Sequence, residues 1–206
     1  MTSTPASTTG SRRAFLILLA IFVLPVATAY LVYFQFPQLR PTGTTNYGRL
    51  VTPTARPVPP LHLQDAAGKP VADGLFKGKW SMVYLAPAPC AESCRQQVYL
   101  SRQVRTALNR DARRLQRVYI APDAAALEAA RNLFGVEHPD LLLLADAGAA
   151  GGRAADFFQP IPADALLLVD PLGNWFMLYP PHPEHATDFK GILKDIKKLM
   201  NQSQVD

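Results

Sequence analysis

The sequence predicts an α/β fold, a mixed sheet flanked by helices, preceded by one N-terminal transmembrane helix. Three observations predict it. Ala14 to Phe36 is a run of 23 residues without a charge. From Leu61 onward, short apolar runs alternate with stretches of helical period. Both cysteines of the chain, Cys90 and Cys94, stand at one junction between such a run and such a stretch.

Composition bounds the answer. With 206 residues, 49% hydrophobic and 18% charged, the chain is long enough for one domain plus a further segment and too apolar to be wholly disordered. Two cysteines cannot staple a secreted scaffold, nor supply the four ligands of a structural zinc site. All 16 acidic residues follow position 60, and Arg12 and Arg13 are the only charges in the first 39 residues.

The apolar run of residues 14–36 spans roughly 35 Å as a helix, enough for a hydrocarbon core of about 30 Å. Pro25 predicts a kink in it, and Tyr30, Tyr33 and Arg40 suit the interface at its far end. Arg12 and Arg13 precede it, so the positive-inside rule leaves residues 1–13 as a cytoplasmic tail and carries residues 37–206 across. A cleaved signal peptide is the competing reading, with Ala27-Thr28-Ala29 as its cleavage site. Against it, the apolar run continues past that site. Both readings put the domain outside the cytoplasm. Residues 37–60 hold six prolines, which excludes a helix or a central strand and predicts an extended linker.

The domain is then expected over residues 61–206. Leu61-His62-Leu63 and a Gly-Lys-Pro turn predict an initial hairpin. Trp80–Leu85 reads as a buried strand, bounded by Gly78-Lys79 and by Ala86-Pro87-Ala88-Pro89. A helix is expected from about Cys90 to Arg110, on the spacing of Val98, Val104 and Leu108. Arg117–Ala121 is a strand, and Asp123 caps a helix that runs through Phe134 and stops at Gly135. Leu141–Leu144 is a further strand, residues 147–158 a weak helix or loop. Ala165–Asp170 and Trp175–Tyr179 form a hairpin about Pro171–Asn174, and a helix near Thr187–Asn201 closes the chain.

Chemistry concentrates at Cys90 and Cys94. Their spacing lies within disulfide range on a helix, and a helix N-terminus favours the thiolate, which is both nucleophile and metal ligand. Arg95 and Arg102 reinforce this and Glu92 opposes it. A static bridge over so short a loop would stabilise little. Redox or metal function is therefore the reading preferred.

With Gly78-Lys79-Trp80, the CxxxC of Cys90 and Cys94, and Leu167-Leu168-Val169-Asp170-Pro171-Leu172-Gly173, residues 61–200 resemble the Sco/SenC family. These are thioredoxin-fold proteins of cytochrome c oxidase assembly, and the anchor and spacer match their layout. The resemblance implies a single-pass protein of the bacterial inner membrane with its C-terminal domain in the periplasm. It also implies delivery of copper, or of electrons, to the copper-binding subunit of a haem–copper oxidase. Copper-binding members add a His eight residues before the Asp of the Asp-Pro-x-Gly turn; here that position is Pro162, and no His lies between 139 and 181. Two soft thiolates suit Cu(I), whereas Cu(II) prefers a nitrogen ligand. Ile161-Pro162 lies roughly where thioredoxin-fold reductases set a proline, usually cis, opposite their cysteines.

The function expected is that of a thiol–disulfide oxidoreductase, with Cys90 and Cys94 as catalytic pair and Cys90 attacking, that reduces the copper subunit's cysteines. The alternatives are a Cu(I) chaperone with Cys90 and Cys94 as its metal ligands, and a non-catalytic assembly factor. No resident cofactor is required, copper aside.

Other residues carry less. His182 and His185 read as a surface loop, and His138, before Pro139, as solvated; Met82 and Met177 read as core. The seven arginines and one aspartate of residues 95–117 make a basic stripe. Nucleic acid is excluded as its partner by location, leaving a solvated face or a docking face for an acidic partner.

Overall fold

The computed structural model describes residues 8–36, 46–149, 151–181 and 189–203. The chain divides into two compact units, Met1–Thr45 and Asn46–Asp206.

In the first unit, α1 (Thr8–Gln35) is one continuous helix with Pro25 inside it. Its segment Arg12–Gln35 is long and apolar enough to cross a membrane, and none of it is buried within the chain. The Thr28 hydroxyl donates back to the Leu24 carbonyl, keeping its hydrogen bond inside the helix as an apolar solvent demands.

The second unit is built on an eight-stranded mixed sheet. Its strands are β1 (Arg49–Leu50), β2 (Arg56–Pro57), β3 (Leu63–Gln64), β4 (Trp80–Leu85), β5 (Leu115–Ala121), β6 (Leu141–Asp146), β7 (Leu166–Val169) and β8 (Asn174–Tyr179). They lie in the order β1-β8-β7-β4-β5-β6-β3, with β2 also on β8. The β4, β5 and β6 strands run parallel to one another; β7 and β8 join antiparallel on one side and β3 on the other. The helices are α2 (Glu92–Ala107), α3 (Ala124–Phe134), α4 (Ala154–Phe157) and α5 (Phe189–Gln202), with a 3-10 helix at Asn109–Arg114.

Alternation along the strands fills two cores. Trp80, Met82, Tyr84, Tyr119, Leu166 and Leu168 face α2, α3 and α5. Val83, Val118, Ile120, Leu167, Val169 and Trp175 face the other way, against Phe76, Ala154 and Phe158. The helical cover is thus unequal, three long helices on one face and the short α4 on the other. A bulge opposite Leu168 and Val169 skips Phe176 in the register. It turns Trp175 to the α4 face while Met177 stays on the first.

The predicted elements map closely. β4 has the expected bounds, and Asp123 caps α3 by accepting from the Ala126 N–H at 2.8 Å. The β7–β8 turn is closed by Asp170, whose Oδ1 accepts from Leu172 N and Asn174 N; Gly173 follows at φ +88°, a conformation that favours glycine. The long helix is shorter than expected, stopping at Ala107 before the 3-10 segment.

The linker expectation requires correction. From Asn46 the Pro-rich stretch is part of the folded unit, because β1 and β2 pair with β8 on either side of Pro53. Gly48 N donates to the buried Asp195 of α5 at 2.8 Å, and a Cβ at Gly48 would stand 2.6 Å from Met177 Sδ. The Arg56 guanidinium lies 4.6 Å from the Phe157 ring centre and 5.3 Å from that of Trp175. Prolines forbid a central strand, yet leave enough donors for two-residue ladders at an edge.

Candidate functional site

The breaker run after β4 lifts the chain off the sheet and turns it into α2. Cys90 lies in that loop, one residue before the N-cap Ala91, and Cys94 lies in the first turn of α2. The two are joined as a disulfide with a Cα–Cα distance of 5.3 Å. The bridge therefore runs from loop to helix, not between two positions of one helix face. Its halves differ in environment: Cys94 is fully buried, whereas Cys90 is partly exposed. Ala91 supplies no side-chain cap, so the first N–H groups of α2 are left to act on whatever lies at the helix tip. Arg95 and Glu92, both exposed, set opposite charges beside it.

Beneath the disulfide lies a polar cluster that sequence reasoning missed. Tyr84 and Tyr119 are register partners on β4 and β5, so their rings share a face, 5.9 Å apart. The Tyr119 hydroxyl lies 3.9 Å from Cys94 Sγ. The Tyr84 hydroxyl donates to Asp164 Oδ1 at 2.5 Å, from the loop that leads into β7. Burial pushes the Tyr119 phenol up to about 12. Tyr84 is raised further, first by burial and then by its bond to Asp164. Two tyrosines following apolar residues at matching strand positions were the available signal; Asp164 gave none.

The sequence left open whether the bond before Pro162 is cis. Among the described residues the cis X–Pro bonds are Thr52–Pro53, Ala88–Pro89 and Gln159–Pro160, and Ile161–Pro162 is not one of them. Met82 and Met177 are buried in the core, as expected. His62 is exposed. His182 and His185 lie outside the described residues. His138 was expected in solvent but is 5% exposed, with its Nδ1 3.4 Å from Arg117. Burial, then the nearby Arg117 charge, lowers its pKa. Among the described residues no group of three His, Cys, Asp or Glu could hold a metal ion. The two sulfurs, once reduced, are the donors at hand for a soft ion.

The basic stripe is likewise only partly a surface. Arg117 is buried; its Nη1 donates to both carboxylate oxygens of Asp140 at 3.2 Å, Nη2 to Val98 O and Nε to Ser101 Oγ. Arg105 bonds to Leu115 O and pairs with Asp140, and Arg114 donates to Ser203. Arg95, Arg102, Arg110 and Arg113 remain exposed.

Residues 80–203 match the family model described as a transmembrane-like, thioredoxin-like C-terminal domain. No curated protein matches the sequence. Solved structures share the fold. Apo Sco1 from Thermus thermophilus aligns with a TM-score of 0.58 at 18% identity, covering 77% of this chain and 99% of its own. BsSco, a member of the Sco family of cytochrome c oxidase assembly proteins in which a disulfide switch was identified, aligns at 0.55 with 15% identity, covering 75% and 99%. Arabidopsis thaliana ScoI with copper bound aligns at 0.52 with 19% identity, covering 68% and 98%.

Proposed function

Since the chain belongs to the family of transmembrane-like, thioredoxin-like C-terminal domains, we propose that it is a membrane-anchored thiol–disulfide oxidoreductase. Its task in this reading is maturation of the copper site of a respiratory cytochrome c oxidase. The domain would sit on the periplasmic side of a bacterial inner membrane, held there by α1. The observation that carries the reading is the asymmetry of the bridge, with Cys90 partly exposed and Cys94 buried. After reduction, the Cys90 thiolate attacks a disulfide of the oxidase's copper-binding subunit and forms a mixed disulfide. Cys94 then attacks Cys90 Sγ, the subunit leaves with both thiols free, and the Cys90–Cys94 bridge is restored. Those freed thiols can accept copper. Support for the oxidase as client comes from the shared fold with BsSco, a member of a family of oxidase assembly proteins.

The second reading, a Cu(I) chaperone, is favoured by the shared fold with a copper-bound ScoI. Copper is cargo here, held by the two thiolates of Cys90 and Cys94. Pro162 offers no nitrogen ligand, so the set suits Cu(I) and not Cu(II).

One preparation separates them. The reduced full chain in detergent is given an oxidised peptide bearing the copper subunit's two cysteines, and in parallel is titrated with Cu(I) against a competing chelator. The reductase reading expects stoichiometric reduction of the peptide, lost in Cys90→Ser, with weak Cu(I) retention. Tight one-to-one Cu(I) binding with no peptide reduction would replace it by the chaperone. Full oxidase maturation in cells carrying Cys90→Ser/Cys94→Ser would sink both and leave a non-catalytic assembly factor.

A further inference from the structure

The reductase scheme requires a buried sulfur to become an anion. Cys94 must lose its proton before it can attack, in a site that excludes water from its side chain. Burial in apolar surroundings opposes this, so the resolving step needs a donor aimed at that sulfur. The structure supplies one candidate. Tyr119 projects from β5 toward the first turn of α2, and its hydroxyl is 3.9 Å from Cys94 Sγ. The ring is held on both sides, with Tyr84 at 5.9 Å and Phe134 at 5.8 Å between centres. Tyr84 cannot compete for the sulfur, because its hydrogen is committed to Asp164.

We propose that the Tyr119 hydroxyl is a catalytic donor to Cys94 Sγ, stabilising the thiolate that resolves the mixed disulfide on Cys90. The proposal rests on the reductase reading and adds a residue to it. In the step, the Cys94 thiolate forms a bond to Cys90 Sγ, the bond between Cys90 and the client sulfur breaks, and the client leaves as a thiolate that takes a proton from water. Two electrons pass from the dithiol to the client. The proton of Cys94 goes to solvent beforehand, and Tyr119 keeps its own, donating without transferring. With its phenol pushed up to about 12, Tyr119 stays a donor throughout the neutral range. A separation of 3.9 Å is long for a bond to the neutral sulfur of a disulfide. Such contacts tighten when charge arrives.

The test is a single turnover of the reduced full chain in detergent with dithiobis(nitrobenzoate), whose released thiolate absorbs visible light. Attack by Cys90 releases one equivalent, and resolution by Cys94 releases the second. In Tyr119→Phe the first phase is expected unchanged and the second slowed about tenfold, the size of losing one hydrogen bond to a charged group, with its pH profile displaced upward. Tyr99→Phe, at an exposed tyrosine of α2 outside the cluster, should leave both phases alone. Incorporation of 3-fluorotyrosine at position 119 strengthens the donor without altering the packing, and should displace the second phase to lower pH. An unchanged second phase and pH profile in Tyr119→Phe, or in the fluorinated protein should the Phe variant not fold, would overturn the proposal alone. A fast first phase surviving in Cys90→Ser would instead overturn the order of attack, and Tyr119 with it.

Discussion

From Val98 to Arg105 α2 is tied to the sheet by charge and polar bonds. Arg117 of β5 reaches it through Ser101 Oγ and Val98 O, and Asp140 bridges Arg117 to Arg105. At its other end the same helix begins at Ala91 with no side-chain cap and is joined to the preceding loop by a disulfide. One end uses its polar groups to stay in place; the other starts beside the Cys90–Cys94 bridge with no side-chain cap. The contrast teaches that a helix can be anchored far from a candidate site at its other end, so that the site's end need not be optimised for stability.

The largest effect is expected from breaking the anchor. Asp140→Ala leaves the buried Arg117 without its carboxylate and should cost about 3 kcal/mol, toward the low end for a severed buried pair because the Asp140 side chain is 27% exposed. Urea denaturation at neutral pH measures it, and a loss near zero would mean that Arg117 is satisfied by its neutral partners. The double variant Asp140→Ala/Arg117→Met, which removes both charges, should recover most of that loss. The same pair predicts an acid dependence. Burial works against the Asp140 carboxylate, but the Arg117 charge and its hydrogen bonds, with Arg105, hold its pKa below the ordinary value of 3.8. A depressed folded pKa means stability that is present above pH 3.8 and lost as the pH falls through the lower folded value. Asp140→Asn should remove that portion of the acid transition.

A smaller effect is expected at the site's end. The bridge closes a loop of sequence separation 4. Loop-closure entropy for so short a span is worth about 2 kcal/mol at most, so reduction should lower stability by no more than that and leave the fold intact. Circular dichroism of the reduced and oxidised full chain checks it; unfolding on reduction would make the bridge a structural staple. The smallest effect sharpens the contrast. Ala91→Asp gives α2 the cap that Asp123 gives α3, and should add about 0.5–1 kcal/mol. Its carboxylate would also stand beside Cys90, so the first phase of dithiobis(nitrobenzoate) reduction should slow severalfold while the second is little changed.

Much of the framework was legible because local physics decides it. Trp80–Leu85 is apolar at every position but Ser81 and is bounded by breakers, which is the pattern of a central strand buried on both faces. The Asp123 cap and the Asp170 turn are short-range hydrogen-bond patterns, written within four residues. The cysteine pair was legible for the same reason. What escaped the sequence depends on distant partners. His138 is buried because Arg117 and Phe134 converge on it from other elements. The binding of residues 46–60 to β8 is decided by Asp195, Trp175 and Phe157, more than 90 residues away in the chain. Asp164 meets Tyr84 across a sequence separation of 80.

The short strands at the sheet's margins have one more consequence. Among the described residues, β1 and β2 flank one side and β3 the other, each only two residues long, with prolines at positions 53, 57, 59 and 60 close by. An extended polypeptide seeking to lengthen the sheet would find a ladder too short to hold it. The sheet's margins are thereby guarded against β-augmentation. Under the proposed reductase function, a client would have to be held by side chains around the bridge rather than by an added strand, and exchange of its sulfurs would end that contact.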